Sequence, residues 1–251
     1  IEALFTAEEL HALAMRDAVR RKEYGIAYTE ALLGPIASMG RGASQAMVSD
    51  AGKAFLYSGQ LKEGAARFTA LGWTGRFYRA RFARELERWK EAVELFKKAT
   101  ADAPTRADAD ASRWYAIDCA YRGALAAAAA TAAASTKGSA SSAKAAAERA
   151  AREAALGELV AASAAWRDSS SFLDLANILY RDALRARDWR LIAAMAERLG
   201  TKLAPDTSAR IAYTAARAME LKAVPEGGAA QTGAAQAAPL FAAIAANVAA
   251  P

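Results

Sequence analysis

One histidine, one cysteine and six prolines in 251 residues leave this chain little of the usual equipment for chemistry. With His11 alone, no metal site can draw on a second imidazole, and a Ser-His-Asp or Cys-His arrangement would have to use this one residue. With Cys119 alone, no internal disulfide and no cysteine-based zinc site can form. One cysteine suits the cytosol or a bacterial periplasm equally. Val, Ile and Thr are sparse and never alternate with polar residues over the length of a strand, which argues against β-sheet. No apolar run is long enough to span a membrane; the alanine-rich runs Ala124–Ala134 and Ala234–Ala250 are too short or too weakly hydrophobic. The glycines form no phosphate loop, since Gly40-x-Gly42 lacks both the lysine and the strand–helix setting. Paired carboxylates are missing too. Glu8/Glu9 and Glu85/Glu87 cannot share a helix face, and Glu87, Glu91 and Glu94, which can, alternate with Arg88, Lys90, Lys97 and Lys98 as a solvated face does. No catalytic residue, metal ligand or cofactor site is expected.

What the chain does have is alanine, at about 70 positions, far above ordinary usage. Alanine loses no side-chain entropy in a helix, so the expected class is all-α. The net charge is +6 and the isoelectric point about 9.5. Such a balance suits a solvated surface rich in arginine, or acidic partners: nucleic acid, anionic lipid or a cell-wall polymer. Nucleic acid is not expected as a partner, because the helices show no recurring side-chain pair at fixed positions, as a one-base-per-repeat code requires. The first residue is Ile1, as expected of a processed or trimmed fragment.

Helix signals then follow one another along the chain. Thr6-Ala7-Glu8-Glu9 reads as a capped helix start, with Leu10, Leu13, Ala14, Ala18 and Val19 as its apolar stripe and Arg20-Arg21-Lys22 as its basic end. Tyr24, Ala27 and Ala31 begin a second helix, which Gly34-Pro35 stops. Two clearer helix–turn–helix units occupy 44–104. In the first, Gly52 and Phe55 precede the break at Gly59, and Leu61, Gly64, Phe68 and Leu71 follow. In the second, Ala80 precedes a turn at Leu86-Glu87-Arg88, then Trp89, Ala92, Phe96 and Ala99 follow at helical spacing and Pro104 closes the unit. Small and large apolar residues alternating this way let antiparallel helices approach closely and stack on the next pair. A further unit begins near Thr105 with Trp114, Ile117 and Tyr121. A flexible Ala/Ser-rich excursion is expected at about 131–144, where no large apolar side chain is present. A helix from Ala145 to Trp166 comes next, then a strong stripe from Phe172 to Leu184. Trp189 opens a partner helix; it takes the place that Tyr24, Leu61 and Trp89 hold in earlier units, and Trp89 and Trp189 are expected to wedge between helices. Pro205-Asp206-Thr207 starts another helix, 224–238 reads as a linker, and Pro239–Val248 as a short closing helix. The sum is about six antiparallel helix pairs in a superhelical solenoid, a single α-helical repeat domain over 1–251.

Gly52-x-x-Phe55, Gly59-x-Leu61, Gly64 and Phe68 resemble the tetratricopeptide repeat, as do Trp89, Ala92, Phe96, Ala99 and Pro104. Trp114-x-x-Ile117-x-x-x-Tyr121 looks like the opening half of another copy. The resemblance covers two good repeats of six and implies a scaffold that binds a protein or peptide partner in its concave groove. A narrower resemblance rests on Arg113–Asp118, Ala165–Phe172 and Ala186–Trp189. These segments look like the superhelical, non-catalytic region of bacterial soluble lytic transglycosylases. It implies an alternative: a helical region that positions peptidoglycan for a catalytic domain not in this chain, in the periplasm or cell envelope. That family's Glu-Ser pair and Gly-Leu-Met-Gln run are not present, so no catalytic residue carries over.

In tetratricopeptide-like pairs the first helix lines the groove. In that register Lys53, Phe77, Arg81, Arg84, Tyr115 and Arg122 point into it. Guanidinium forks and aromatic faces suit carboxylates, phosphates and sugar rings. His11 and Cys119 are expected to be structural, Cys119 as a small buried hydrophobe.

Overall fold

A chain this rich in alanine and poor in β-branched residues has one favourable regular backbone, the α-helix. A computed structural model describes residues 5–34, 44–69, 71–134, 140–166, 169–200, 203 and 205–220. Among the described residues there are eleven helices and no strand. They are α1 (Ala7–Arg20), α2 (Tyr24–Leu33), α3 (Gln45–Tyr57), α4 (Leu61–Arg67), α5 (Gly72–Glu85), α6 (Trp89–Ala101), α7 (Arg106–Ala134), α8 (Ala140–Trp166), α9 (Ser170–Arg185), α10 (Trp189–Leu199) and α11 (Pro205–Glu220). The all-α expectation holds. Of the excursion expected over about 131–144, Thr131–Ala134 and Ala140–Lys144 are helical, and 135–139 lie outside the described residues. Alanine's own propensity carries those turns without any large side chain to anchor them. The expected linker at 224–238 and closing helix at Pro239–Val248 also lie outside the described residues.

The chain divides into two compact units, Ile1–Gly123 and Ala124–Pro251. In the first, sequential helices from α1 to α6 pack as neighbours, and alternate helices also touch, α1 on α3 and α3 on α5. In the second, α8 packs on both α9 and α10, and α10 on α11. Helices approach closely where one surface supplies no side chain. Gly52 of α3 lies under the Tyr78 ring of α5, where an added Cβ would come within 2.3 Å of the ring.

One turn recurs four times. Lys22, Gly59, Glu87 and Arg187 each sit in the left-handed region, with φ of 61°, 81°, 57° and 53°. In each case the next residue's N–H closes back five residues: Glu23 to the Ala18 carbonyl, Gln60 to Phe55, Arg88 to Ala83 and Asp188 to Ala183. This is the Schellman closure, which satisfies the last carbonyls of one helix and launches the next. Tyr24, Leu61, Trp89 and Trp189 are then the first residues of α2, α4, α6 and α10. Trp89 and Trp189 are half-buried there, and Trp89 packs against the buried cluster of Ala80, Ala83, Ala92, Phe96, Ala116 and Cys119. Trp89 also lies over Gly123, where an added Cβ would approach its Cβ to 2.7 Å.

Only Gly59 adopts its φ without a Cβ penalty. Lys22→Gly, Glu87→Gly and Arg187→Gly are each expected to gain up to about 1 kcal/mol, and Gly59→Ala to lose about 1 kcal/mol, in urea unfolding. A loss in all three glycine variants would show that these turns are not left-handed in solution.

The first unit's core is an aromatic ladder. Tyr28 meets Phe55 edge-on at 4.9 Å, Phe55 meets Phe68 at 5.8 Å, and Phe68 meets Phe82 at 5.3 Å. In the second unit Trp166, Phe172, Leu175, Leu179, Ile192, Met195 and Leu199 are fully or almost fully buried. Asp188 ties that unit together. It caps α10 by accepting from the Leu191 N–H, and it pairs with Arg152 at 3.2 Å and Arg149 at 3.8 Å. Among the described residues no helix is long and apolar enough to cross a membrane.

Candidate functional site

Three helices of the first unit, α3, α5 and the start of α7, present one shared face. α5 supplies its centre. Trp73, Phe77 and Arg81 stand on successive turns at i, i+4 and i+8, one stripe on one side of the helix. Trp73 stacks on Phe77 with centroids 5.2 Å apart, and its indole N–H donates to the Ala99 carbonyl at 2.7 Å. Beside these rings a hollow of about 430 Å³ opens, lined by Gln45, Ala46 and Ser49 of α3, Trp73, Thr74, Phe77 and Tyr78 of α5, and Pro104, Asp108 and Ala111. The Thr74 hydroxyl donates to Gln45 Oε1 at its edge.

One turn further along α5, Arg81 lies among tyrosines. Its guanidinium carbon is 5.4 Å from the Tyr115 ring centroid and 5.8 Å from those of Tyr57 and Tyr78. Nη2 donates to the Tyr57 hydroxyl at 3.5 Å, and the buried Nε finds no acceptor. Among the described residues no carboxylate lies within ion-pair distance of Arg81. The ring faces hold the cation and leave most of its fork without an acceptor. Burial pushes the Tyr78 hydroxyl above its ordinary pKa, so this wall of the site stays neutral.

The six residues expected in the groove thus divide. Phe77 and Tyr115 belong to the packing between helices: both meet Phe96, Tyr115 stacked on it at 4.9 Å and 11°. Yet Tyr115 also forms the floor beneath Arg81 and Arg84. Arg84 and Arg122 converge on Asp118, whose side chain is wholly buried. Arg84 reaches Asp118 Oδ2 through Nε at 3.1 Å and Nη2 at 2.9 Å, and Arg122 Nε reaches its two oxygens at 2.8 and 2.9 Å. Lys53 pairs with Asp50 at 3.4 Å, which Arg16 also reaches at 3.4 Å. Arg81 is the member of the six that carries charge with no carboxylate to answer it.

Residues not foreseen from the sequence are Tyr57, Trp73, Tyr78, Asp50 and Asp118. Two had a local signal: Asp118 and Arg122 are four apart, and Asp50 and Lys53 three apart, the spacings at which opposite charges meet on a helix. The Arg84–Asp118 pair joins different helices and has no such signal.

His11 and Cys119 each sit in a contact within the fold. His11 Nδ1 lies 2.7 Å from Glu30 Oε2 and joins α1 to α2. Cys119 is buried, and burial followed by the nearby Asp118 carboxylate pushes its thiol up to about 12. A thiol held protonated is a poor nucleophile. The native chain is expected to resist a disulfide reagent at pH 8 and to react only as fast as it unfolds. Rapid labelling without unfolding would contradict that burial. Among the described residues no group of three or more His, Cys, Asp or Glu side chains is placed to hold a metal ion.

A second hollow, of about 320 Å³, lies in the other unit among Asp174, Asn177, Tyr180, Arg181 and Arg210. There Arg210 is engaged by Asn177 Oδ1 at 2.7 Å and lies over the Tyr180 ring.

No family model, curated protein or solved structure matches this chain.

Proposed function

We propose that the chain is a non-catalytic helical-repeat scaffold and that the face of α3, α5 and α7 binds an extended segment of a partner protein. In this reading the helix pairs form tetratricopeptide-like units of a solenoid, with α3, α5 and α7 as the first helices of successive pairs. The recurrent Schellman turn and the contacts between alternate helices support it. The observation that carries the binding reading is Arg81. It is a cation set among three tyrosines, beside an open aromatic hollow, with no carboxylate among the described residues at ion-pair distance. Arg and Tyr in such a setting are the residue types that dominate binding energy at interfaces. A net charge of +6 favours an acidic partner.

Selection of displayed random peptides on the immobilised full chain tests this. Acidic sequences are expected to be enriched, and their binding to weaken with added salt and with Arg81→Glu. If no sequence is enriched over the Arg81→Glu chain, the scaffold reading of this face fails.

A further inference from the structure

We infer that this face reads two features of one extended segment: a large apolar side chain seated in the hollow against Trp73 and Phe77, and a carboxylate two positions along, taken by Arg81. The inference rests on the peptide-binding reading above and states what the peptide must carry.

The spacing comes from α5 itself. Phe77 lines the hollow and Arg81 follows it by four residues, about 6 Å along the helix axis. An extended chain rises about 3.3 Å per residue and points alternate side chains the same way. Two side chains on one side of such a chain, two positions apart, are therefore about 6.6 Å apart. That matches the step from Phe77 to Arg81. Tyr78 joins the two subsites physically, because its ring lines the hollow and lies 5.8 Å from the Arg81 guanidinium.

The chemistry of each subsite is distinct. The hollow is of a size that takes one bulky side chain, with indole, phenyl and proline walls against it. Arg81 offers a planar fork suited to a bidentate carboxylate. Its neighbours do not compete for the incoming acid. Arg84 and Arg122 are committed to Asp118, and Lys53 to Asp50. Asp108 also lines the hollow, where its carboxylate accepts from the Thr105 hydroxyl at 2.7 Å, so the acid of the segment is taken at Arg81 and not inside the hollow.

The test uses capped synthetic peptides in a glycine–serine background, each with one tryptophan and one glutamate, either adjacent, separated by one residue, or separated by several. Binding to the full chain is followed by fluorescence anisotropy. The peptide with one intervening residue is expected to bind best, about tenfold tighter than its glutamine counterpart, which is about 1.4 kcal/mol. Arg81→Gln is expected to erase the preference for glutamate and keep that for tryptophan. Ala46→Trp, which places a ring in the hollow from an exposed position on α3, is expected to do the reverse. Circular dichroism and urea unfolding establish that both variants fold. Affinity independent of spacing, or a glutamate preference that survives Arg81→Gln, overturns the inference. If displayed peptides are enriched as above while this set fails to bind, the two-point inference falls alone. If neither binds, the scaffold reading falls with it.

Discussion

Asp118→Ala is expected to cost about 3 kcal/mol of folding stability, because it removes the shared acceptor of two guanidinium groups from a site closed to water. The Asp118 side chain is wholly buried, Arg84 is 18% exposed and Arg122 46% exposed. A buried carboxylate is tolerated only with its hydrogen bonds made, and here four guanidinium N–H contacts supply them. After truncation Arg84 keeps Glu85, at 2.6 Å on the exposed side, and the face of the Tyr115 ring, while the side that met Asp118 faces an empty space. Arg122 is exposed enough to turn to water, so most of the cost falls through Arg84. The midpoint of urea unfolding reads the effect. A loss below about 1 kcal/mol would place Asp118 among ordinary surface ion pairs.

Phe96→Ala is expected to cost about 3–5 kcal/mol, the range for deleting a fully buried aromatic ring. Phe96 is inaccessible to solvent. It stacks on Tyr115 at 4.9 Å and meets Phe77 edge-on at 5.7 Å. Both partners border the proposed binding face, so the cavity would open directly behind it. The expected signature is therefore double: lower stability, and weaker binding of acidic peptides under conditions where the variant is still folded. Phe96→Leu, which fills most of the space, is expected to restore much of both. Full binding by a folded Phe96→Ala chain would show that the face does not depend on the packing beneath it.

The sequence carried the helices better than the face. Alanine content and 3.6-residue spacing put the helices in place, and Tyr24, Leu61, Trp89 and Trp189 each open one. The turns were legible at Gly59, where the residue type announces a left-handed φ. They were less legible at Glu87, where a non-glycine residue adopts the same conformation because the flanking helices over-determine it. Thr131–Ala134 and Ala140–Lys144 are helical although no large side chain anchors them, because alanine's own propensity holds those turns. At the face, residue type singles out Arg81, Arg84 and Arg122 as candidates but does not tell which cations are already neutralised. That depends on Asp118 meeting Arg84 from another helix, a pairing with no local period. The hollow beside Phe77 is likewise made by three helices at once, and its walls become visible only when α3, α5 and α7 are set side by side.

The most direct test of the account is photocrosslinking from defined positions of the full chain. A photoreactive phenylalanine analogue replaces in turn Tyr57, which borders the Arg81 subsite, and Ala46, which borders the hollow. It also replaces Ile26, an exposed residue of α2. With an acidic peptide recovered by selection, position 57 is expected to capture the peptide at or next to its carboxylate, position 46 at its apolar residue, and position 26 not at all. Equal capture from all three, or capture from position 26 alone, would contradict a binding face on α3, α5 and α7.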